Sequence, residues 1–195
     1  MSDRVVYSFA DVAGGAVTLT DAMACPPDMK TLYLLTAPVA LPALSERGME
    51  QLAVQAEEAG FDYLLIDGPA GLPAELSFLA HIATQAIIVT STDRVCVRGA
   101  ERCARKLEEE YCIQRIHMVL NRVRPQLISH GKSGNIDDAM DEAGLPLLGL
   151  VPEDVDLISC SNSGRSIHAV KHTGAARAFV NIARRLNGER IPLKL

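Results

Sequence analysis

The sequence predicts an α/β fold with a mostly parallel sheet flanked by helices, and three observations carry that expectation. Short apolar runs recur along the chain and end in polar or turn residues. They are rich in Leu, Ile and Val without strict alternation, which is how strands buried on both faces of a parallel sheet read. Helical patterns fill the intervals, and that alternation makes right-handed βαβ units.

In chain order, the first run is LYLLTA (32–37), and a Pro-rich stretch over 37–42 reads as one long loop. Residues 44–59 are helical, with Ser45 placed as N-cap and Gly60 as C-cap. Further strands are expected at YLLID (63–67) and AIIVTST (86–92), followed by a helix with a charged face at 97–110. IHMVLNR (116–122) is the next strand, and the helix at 136–143 ends before Gly144-Leu145-Pro146. LPLLGLVPED (145–154) supplies the last strand, and a helix at 175–186 ends at Asn187-Gly188. Without repeats or low-complexity segments, residues 1–195 read as a single domain.

Composition narrows the function classes. Apolar residues are 48% and charged ones 22%, as in a soluble protein with a core, and the absence of Trp makes that core aliphatic. A net charge of −5 argues against tight nonspecific binding to nucleic acid, which rests on Lys and Arg neutralising phosphates. The five cysteines (25, 96, 103, 112 and 160) form no C-x-x-C pair and are odd in number, so a reduced, cytoplasmic setting is expected. No apolar run is long enough to span a membrane, and the first residues do not read as a secretory leader.

Open α/β sheets bind ligands beyond the carboxyl ends of their strands. Those ends offer Asp67, Thr90 with Ser91, Asn121 with Arg122, and Pro152-Glu153-Asp154. Polar residues follow any strand, so each alone also fits a plain turn. Asp67 follows an apolar run as a Walker B carboxylate does, where it orders Mg²⁺ or its water shell. The loop Gly68-Pro69-Ala70-Gly71 would let backbone N–H groups approach a phosphate.

The complementary phosphate loop reads G-x-x-x-x-G-K-[ST]. The one Gly-Lys-Ser, Gly131-Lys132-Ser133, has Gln126 where the first Gly belongs and Gly134-Asn135 where a helix should begin; it reads as an exposed polar turn. His168 and His172 have a spacing that could hold a metal, but no local Cys or carboxylate completes a set, so they read as solvated surface. Cys96 and Cys103 would share a helix face for packing, and Asp137, Asp138, Asp141 and Glu142 read as a solvated helix face. No G-x-S-x-G elbow is present.

Taken in order, these stretches resemble the MinD septum-site-determining ATPases of the deviant-Walker ParA/MinD group. Arg4-Val-Val-Tyr-Ser-Phe-Ala-Asp-Val and 15–23 resemble the segment just after that family's second strand, and 61–71 its Walker B and switch II stretch. Residues 86–93 resemble its A-I-I-V-T-T-P-E run, Arg98-Gly-Ala-Glu-Arg102 its R-D-A-D-R helix, and 119–124 its V-x-N-R-x-R strand end. Residues 147–154 resemble L-L-G-x-V-P-E-D, 161–164 resemble S-N-x-G, and 181–193 its last core helix and exit.

The resemblance implies ATP and Mg²⁺ as cofactors. Asp67 would orient a Mg²⁺ water near the γ-phosphate, and the backbone from Gly68 through Pro69 and Ala70 to Gly71 would sense that phosphate. Asn121, with Arg122 beside it, would recognise the adenine edge, and Pro152, Glu153 and Asp154 would flank the base. It further implies an ATP-dependent homodimer, septum-placement partner proteins, and reversible residence at the inner face of the membrane.

Departures from the family pattern shape the expectation. The first strand, K-G-G-x-G-K-T phosphate loop, first helix and second strand have no counterpart in the 195 residues, nor does the terminal amphipathic helix that lies on the membrane. Ser91-Thr92-Asp93 replaces the T-P-E turn, and Gly99 interrupts the R-D-A-D-R pattern. The expectation is a MinD-like domain truncated at its N-terminus, impaired in ATP hydrolysis and in membrane association. The alternatives are a non-catalytic scaffold, or another group member such as a chromosome partitioner, a flagellar-number regulator or a metal-cluster carrier. The carrier would want a C-x-x-C, and the partitioner a more basic surface.

Overall fold

The structure is a computed structural model that describes residues 7–26, 29–40, 42, 44–71, 78–131, 134–167 and 174–193. Lys132, Ser133, His168 and His172, and the Arg4–Val6 part of the first resemblance, lie outside the described residues. The chain divides into two compact units, 1–83 and 84–195.

Among the described residues of the first unit, four helices carry the packing: α1 (Phe9–Ala13), α2 (Leu19–Ala22), α3 (Glu46–Glu58) and α4 (Phe78–His81). α1 begins at a reciprocal cap, in which Ser8 donates from both N–H and hydroxyl to the Asp11 carboxylate at 2.7 Å. Those hydrogen bonds hold the Asp11 carboxyl below its ordinary range. α3 runs from its Ser45 cap and closes at Gly60, which takes a left-handed φ of 81°. Its face at Met49, Leu52 and Ala56 packs on Val12, Ala13, Leu19 and Ala22, and Gly48 lets the α1 carbonyl of Ala13 come close. Gln55 reaches from α3 to accept the N–H of Leu19 at 2.9 Å, capping α2.

Neither strand expected in this unit forms. Among the described residues, 32–37 make two isolated bridges, Thr36 with Ser8 and Leu34 with Ala24. Residues 63–67 join no ladder among the described residues. Their composition suits a buried strand, but a strand exists only by pairing, and no ladder forms there among the described residues.

The second unit holds a three-stranded parallel sheet in the order β1 (Ala86–Thr90), β2 (Ile116–Val123), β3 (Leu147–Pro152). The crossovers contain α5 (Arg94–Tyr111), then α6 (Pro125–Ser129) and α7 (Ile136–Ala143), with α8 (Val155–Asn162) and α9 (Gly174–Leu186) following. Met118, Leu120 and Leu150 bury one sheet face against Val97 of α5 and Ala139 and Ala143 of α7. Val119, Leu148 and Val151 bury the other against Ala175, Phe179 and Ile182 of α9. Gly149 admits that helix, because a Cβ there would collide with the Ile182 side chain. α6 and α8 were not expected from the sequence, and Cys96, read as packing, is exposed on α5, while Cys103 is half-buried and its thiol is pushed up by burial.

Candidate functional site

Parallel pairing puts the carboxyl ends of all three strands on one rim of the second unit. The sequence therefore brings Thr90 and Ser91, Asn121 and Arg122, and Pro152, Glu153 and Asp154 together there. Between Leu120 and Val123 the β2–β3 register slips, and Arg122 adopts a left-handed φ of 56°. Such a bulge lifts Asn121 and Arg122 out of the ladder and re-aims them at the rim. The Asn121 carbonyl oxygen accepts the N–H of Arg122 at 2.9 Å, which stabilises the turn and leaves that oxygen a second lone pair beside the amide donors.

Glu153 locks this bulge from the neighbouring strand. Its backbone N–H donates to the Val123 carbonyl at 2.9 Å. Arg124 grips its carboxylate with two parallel bonds, 2.5 Å from Nε and 2.8 Å from Nη2, and Arg122 adds a longer one at 3.3 Å. The Arg124 hydrogen bond holds the Glu153 carboxyl below its ordinary range, and the same contact raises the Arg124 guanidinium.

Asp154 is committed as well. One carboxylate oxygen accepts the N–H of Asp156 at the start of α8, and the other accepts the N–H of Ala175 at the start of α9, both at 2.9 Å. The loop that was expected to flank a base thus has its two carboxylates engaged within the protein. What Pro152, Glu153 and Asp154 present outward is backbone and shape. Sequence reasoning did not find Arg124 as their partner, although the acid in P-E-D and the second arginine of N-R-x-R were both visible.

The remaining residues singled out in the sequence lie in the first unit. Asp67 and the loop Gly68, Pro69, Ala70 and Gly71 are exposed, and Gly71 has a left-handed φ of 69° that suits a loop glycine. Asp67 makes no hydrogen bond or ion pair with any described residue, so its carboxylate is available to a hydrated cation. A hard oxygen donor of this kind fits Mg²⁺ held through water. Among the described residues no group of three or more His, Cys, Asp or Glu could hold a metal by itself.

On α5, Arg98 and Arg94 pair with Glu142 of α7 at 3.0 and 3.8 Å, so that acid is half-buried while Asp137, Asp138 and Asp141 stay exposed as expected. A shallow groove of about 520 Å³ runs beside this pair, lined by Val95, Arg98, Glu101, Arg102 and Glu142. Gly99 does not interrupt α5, which continues through it. Among the described residues no helix is long and apolar enough to cross a membrane.

A parallel sheet with helices on both faces and polar loops along its carboxyl rim is the architecture of the MinD and ParA-type ATPases. The MinD subunit of the MinC:MinD cell division complex from Aquifex aeolicus superposes with a TM-score of 0.89 at 28% identity, over 100% of this chain and 78% of that one. MinD complexed with Mg-ADP from Pyrococcus horikoshii shares the fold, with a TM-score of 0.74 at 22% identity over 95% of this chain and 75% of that one. No protein-family model matches the chain. Septum site-determining protein MinD of a Synechocystis strain is 33% identical over 98% of this chain and 73% of its own length. Its Bacillus subtilis counterpart is 32% identical over 100% of this chain and 74% of its own length. The chain belongs to the MinD family of septum site-determining proteins, and its function is placement of the division site.

Proposed function

We propose that the chain works in septum placement as a nucleotide-dependent switch that engages a partner of the kind seen in the MinC:MinD complex. The observation that supports this reading is the bulged rim. Asn121 and Arg122 are lifted out of the ladder beside Pro152, Glu153 and Asp154, in a chain similar to MinD along its whole length. Asn121 would read an adenine edge with its amide, and Arg122, whose side chain makes one long contact among the described residues, can turn toward a bound nucleotide. Asp67 would hold Mg²⁺ through water, and Gly68 to Gly71 would respond to the terminal phosphate. Bound Mg²⁺ would supply charge neutralisation at the phosphates. The residues of 1–195 then form one MinD-like domain that pairs with a second copy when ATP is bound.

The 195 residues contain no K-G-G-x-G-K-T motif, and the loop it encodes carries much of the electrostatics of phosphoryl transfer. The 195-residue chain is therefore expected to bind ATP·Mg²⁺ weakly and not to hydrolyse it. Calorimetric titration with ATP·Mg²⁺ and a phosphate-release assay test this. Turnover that disappears in Asp67→Ala would show a complete catalytic site and overturn the expectation. Co-elution with a MinC-type partner tests the switch itself.

A further inference from the structure

Two arginines compete for the carboxylate of Glu153, and the geometry gives it to one of them. Arg124 engages both carboxylate oxygens, Nε on Oε2 at 2.5 Å and Nη2 on Oε1 at 2.8 Å. Arg122 meets Oε1 at 3.3 Å, the oxygen that Arg124 already uses. That is the one hydrogen bond the Arg122 side chain makes among the described residues, and this side chain is 70% exposed against 48% for Arg124. Paired fork bonds to a carboxylate are stronger and more directional than a single long one.

Backbone placement explains the winner. Arg124 caps α6 with a φ of −116°, and its carbonyl accepts the N–H groups of Leu127 and Ile128 at 3.0 and 3.2 Å. The Glu153 N–H is bonded to Val123, the residue before Arg124, so acid and fork are delivered side by side. Arg122 sits instead in the left-handed turn of the bulge, with its N–H tied to Asn121. Asp93, at the start of α5, adds negative potential at Arg124. The cluster thus holds one carboxylate and two guanidinium charges, and the less committed positive charge is on Arg122.

We infer that Arg124 is a positioning residue for nucleotide binding: by claiming Glu153, it keeps Arg122 available beside Asn121. The inference rests on the nucleotide reading of the rim. Without Arg124, Glu153 would keep Arg122 as its one basic partner among the described residues and would draw that guanidinium to itself. Its own charge would then stand closer to uncompensated and repel the phosphates of the ligand.

The test is an NMR titration of the ¹⁵N-labelled 195-residue chain with ATP·Mg²⁺, which reads weak affinities and resolves the Arg122 Nε–H signal. Arg124 and Glu153 lie outside the buried core, and thermal melts verify that their variants fold. In wild type, the Asn121 side-chain amide and Arg122 Nε–H signals should move together. Arg124→Gln should weaken binding about fivefold and leave the Arg122 signal still. Arg124→Gln with Glu153→Gln should restore both the affinity and the movement, because no carboxylate then holds Arg122. If Arg124 merely braced the loop, losing both partners would weaken binding further. Failure of the rescue therefore overturns the inference, as does wild-type affinity in Arg124→Gln. An Asn121 signal that ATP·Mg²⁺ leaves unmoved in wild type would instead refute the nucleotide reading of the rim, and the inference with it.

Discussion

The β2–β3 rim and the stretch 61–71 carry similar sequence signals, an apolar run closed by polar residues, yet their physical situations are opposite. At the rim every carboxylate has a partner: Glu153 has two arginines, and Asp154 has two helix N-termini. Along 64–67 no backbone hydrogen bond is made among the described residues, the apolar side chains are exposed, and Asp67 has no described partner. A site on paired strands arrives pre-organised. A stretch outside any ladder lacks that organisation.

Truncating each apolar run gives the widest contrast. Leu120 is fully buried in the sheet core, so Leu120→Ala should cost about 2–5 kcal/mol, while Leu65→Ala, at 78% exposure, should stay within about 0.5 kcal/mol. Urea midpoints of the two variants check this, and equal losses would mean that 64–66 is buried in solution.

Asp154→Ala should come next, at about 1–2 kcal/mol, because one carboxylate caps both α8 and α9. Hydrogen exchange should show faster opening at the first turns of both helices, whereas an effect confined to α8 would remove the bridging role.

Gly99→Ala should act in the opposite direction. A Cβ at Gly99 meets nothing within 4 Å on a helix that already runs through it, so the change should stabilise by about 0.5–1 kcal/mol. A higher thermal midpoint is the expected readout.

The smallest effect concerns pH at the rim. Glu153 is held below its ordinary range by Arg124, so its contribution is complete above the pKa of the unfolded chain, about 4.3. That contribution is lost as pH falls through the lower folded value. Thermal melts across the acid range should show wild type losing this increment while Glu153→Gln, having no proton to gain there, does not. Identical acid profiles would show that the Arg124 contact contributes nothing in solution.

How much of this was legible in the sequence varied from element to element. The three paired strands and the helices with strong caps, such as α3 with Ser45 and Gly60, were visible because pattern and capping are local. α8 was missed although Asp154 and Asp156 stood at its start, because the P-E-D loop was read for function rather than as a cap. α6 was missed although Pro125 opens it, because Gln126 and the stretch after it were read only against a phosphate loop. The candidate rim was legible residue by residue, and its internal bonding was not. Arg124 and Glu153 are 29 positions apart, and nothing local links them.

By itself, the sequence determined the alternation of strand and helix, the family, and which residues end the strands, since each follows from periodicity or ordered motifs. Tertiary structure alone decided that the P-E-D carboxylates are spent on Arg124, α8 and α9, and that 64–67 join no ladder among the described residues. Hydrogen bonding between distant segments settles both matters, and a single strand's composition cannot supply its own neighbour.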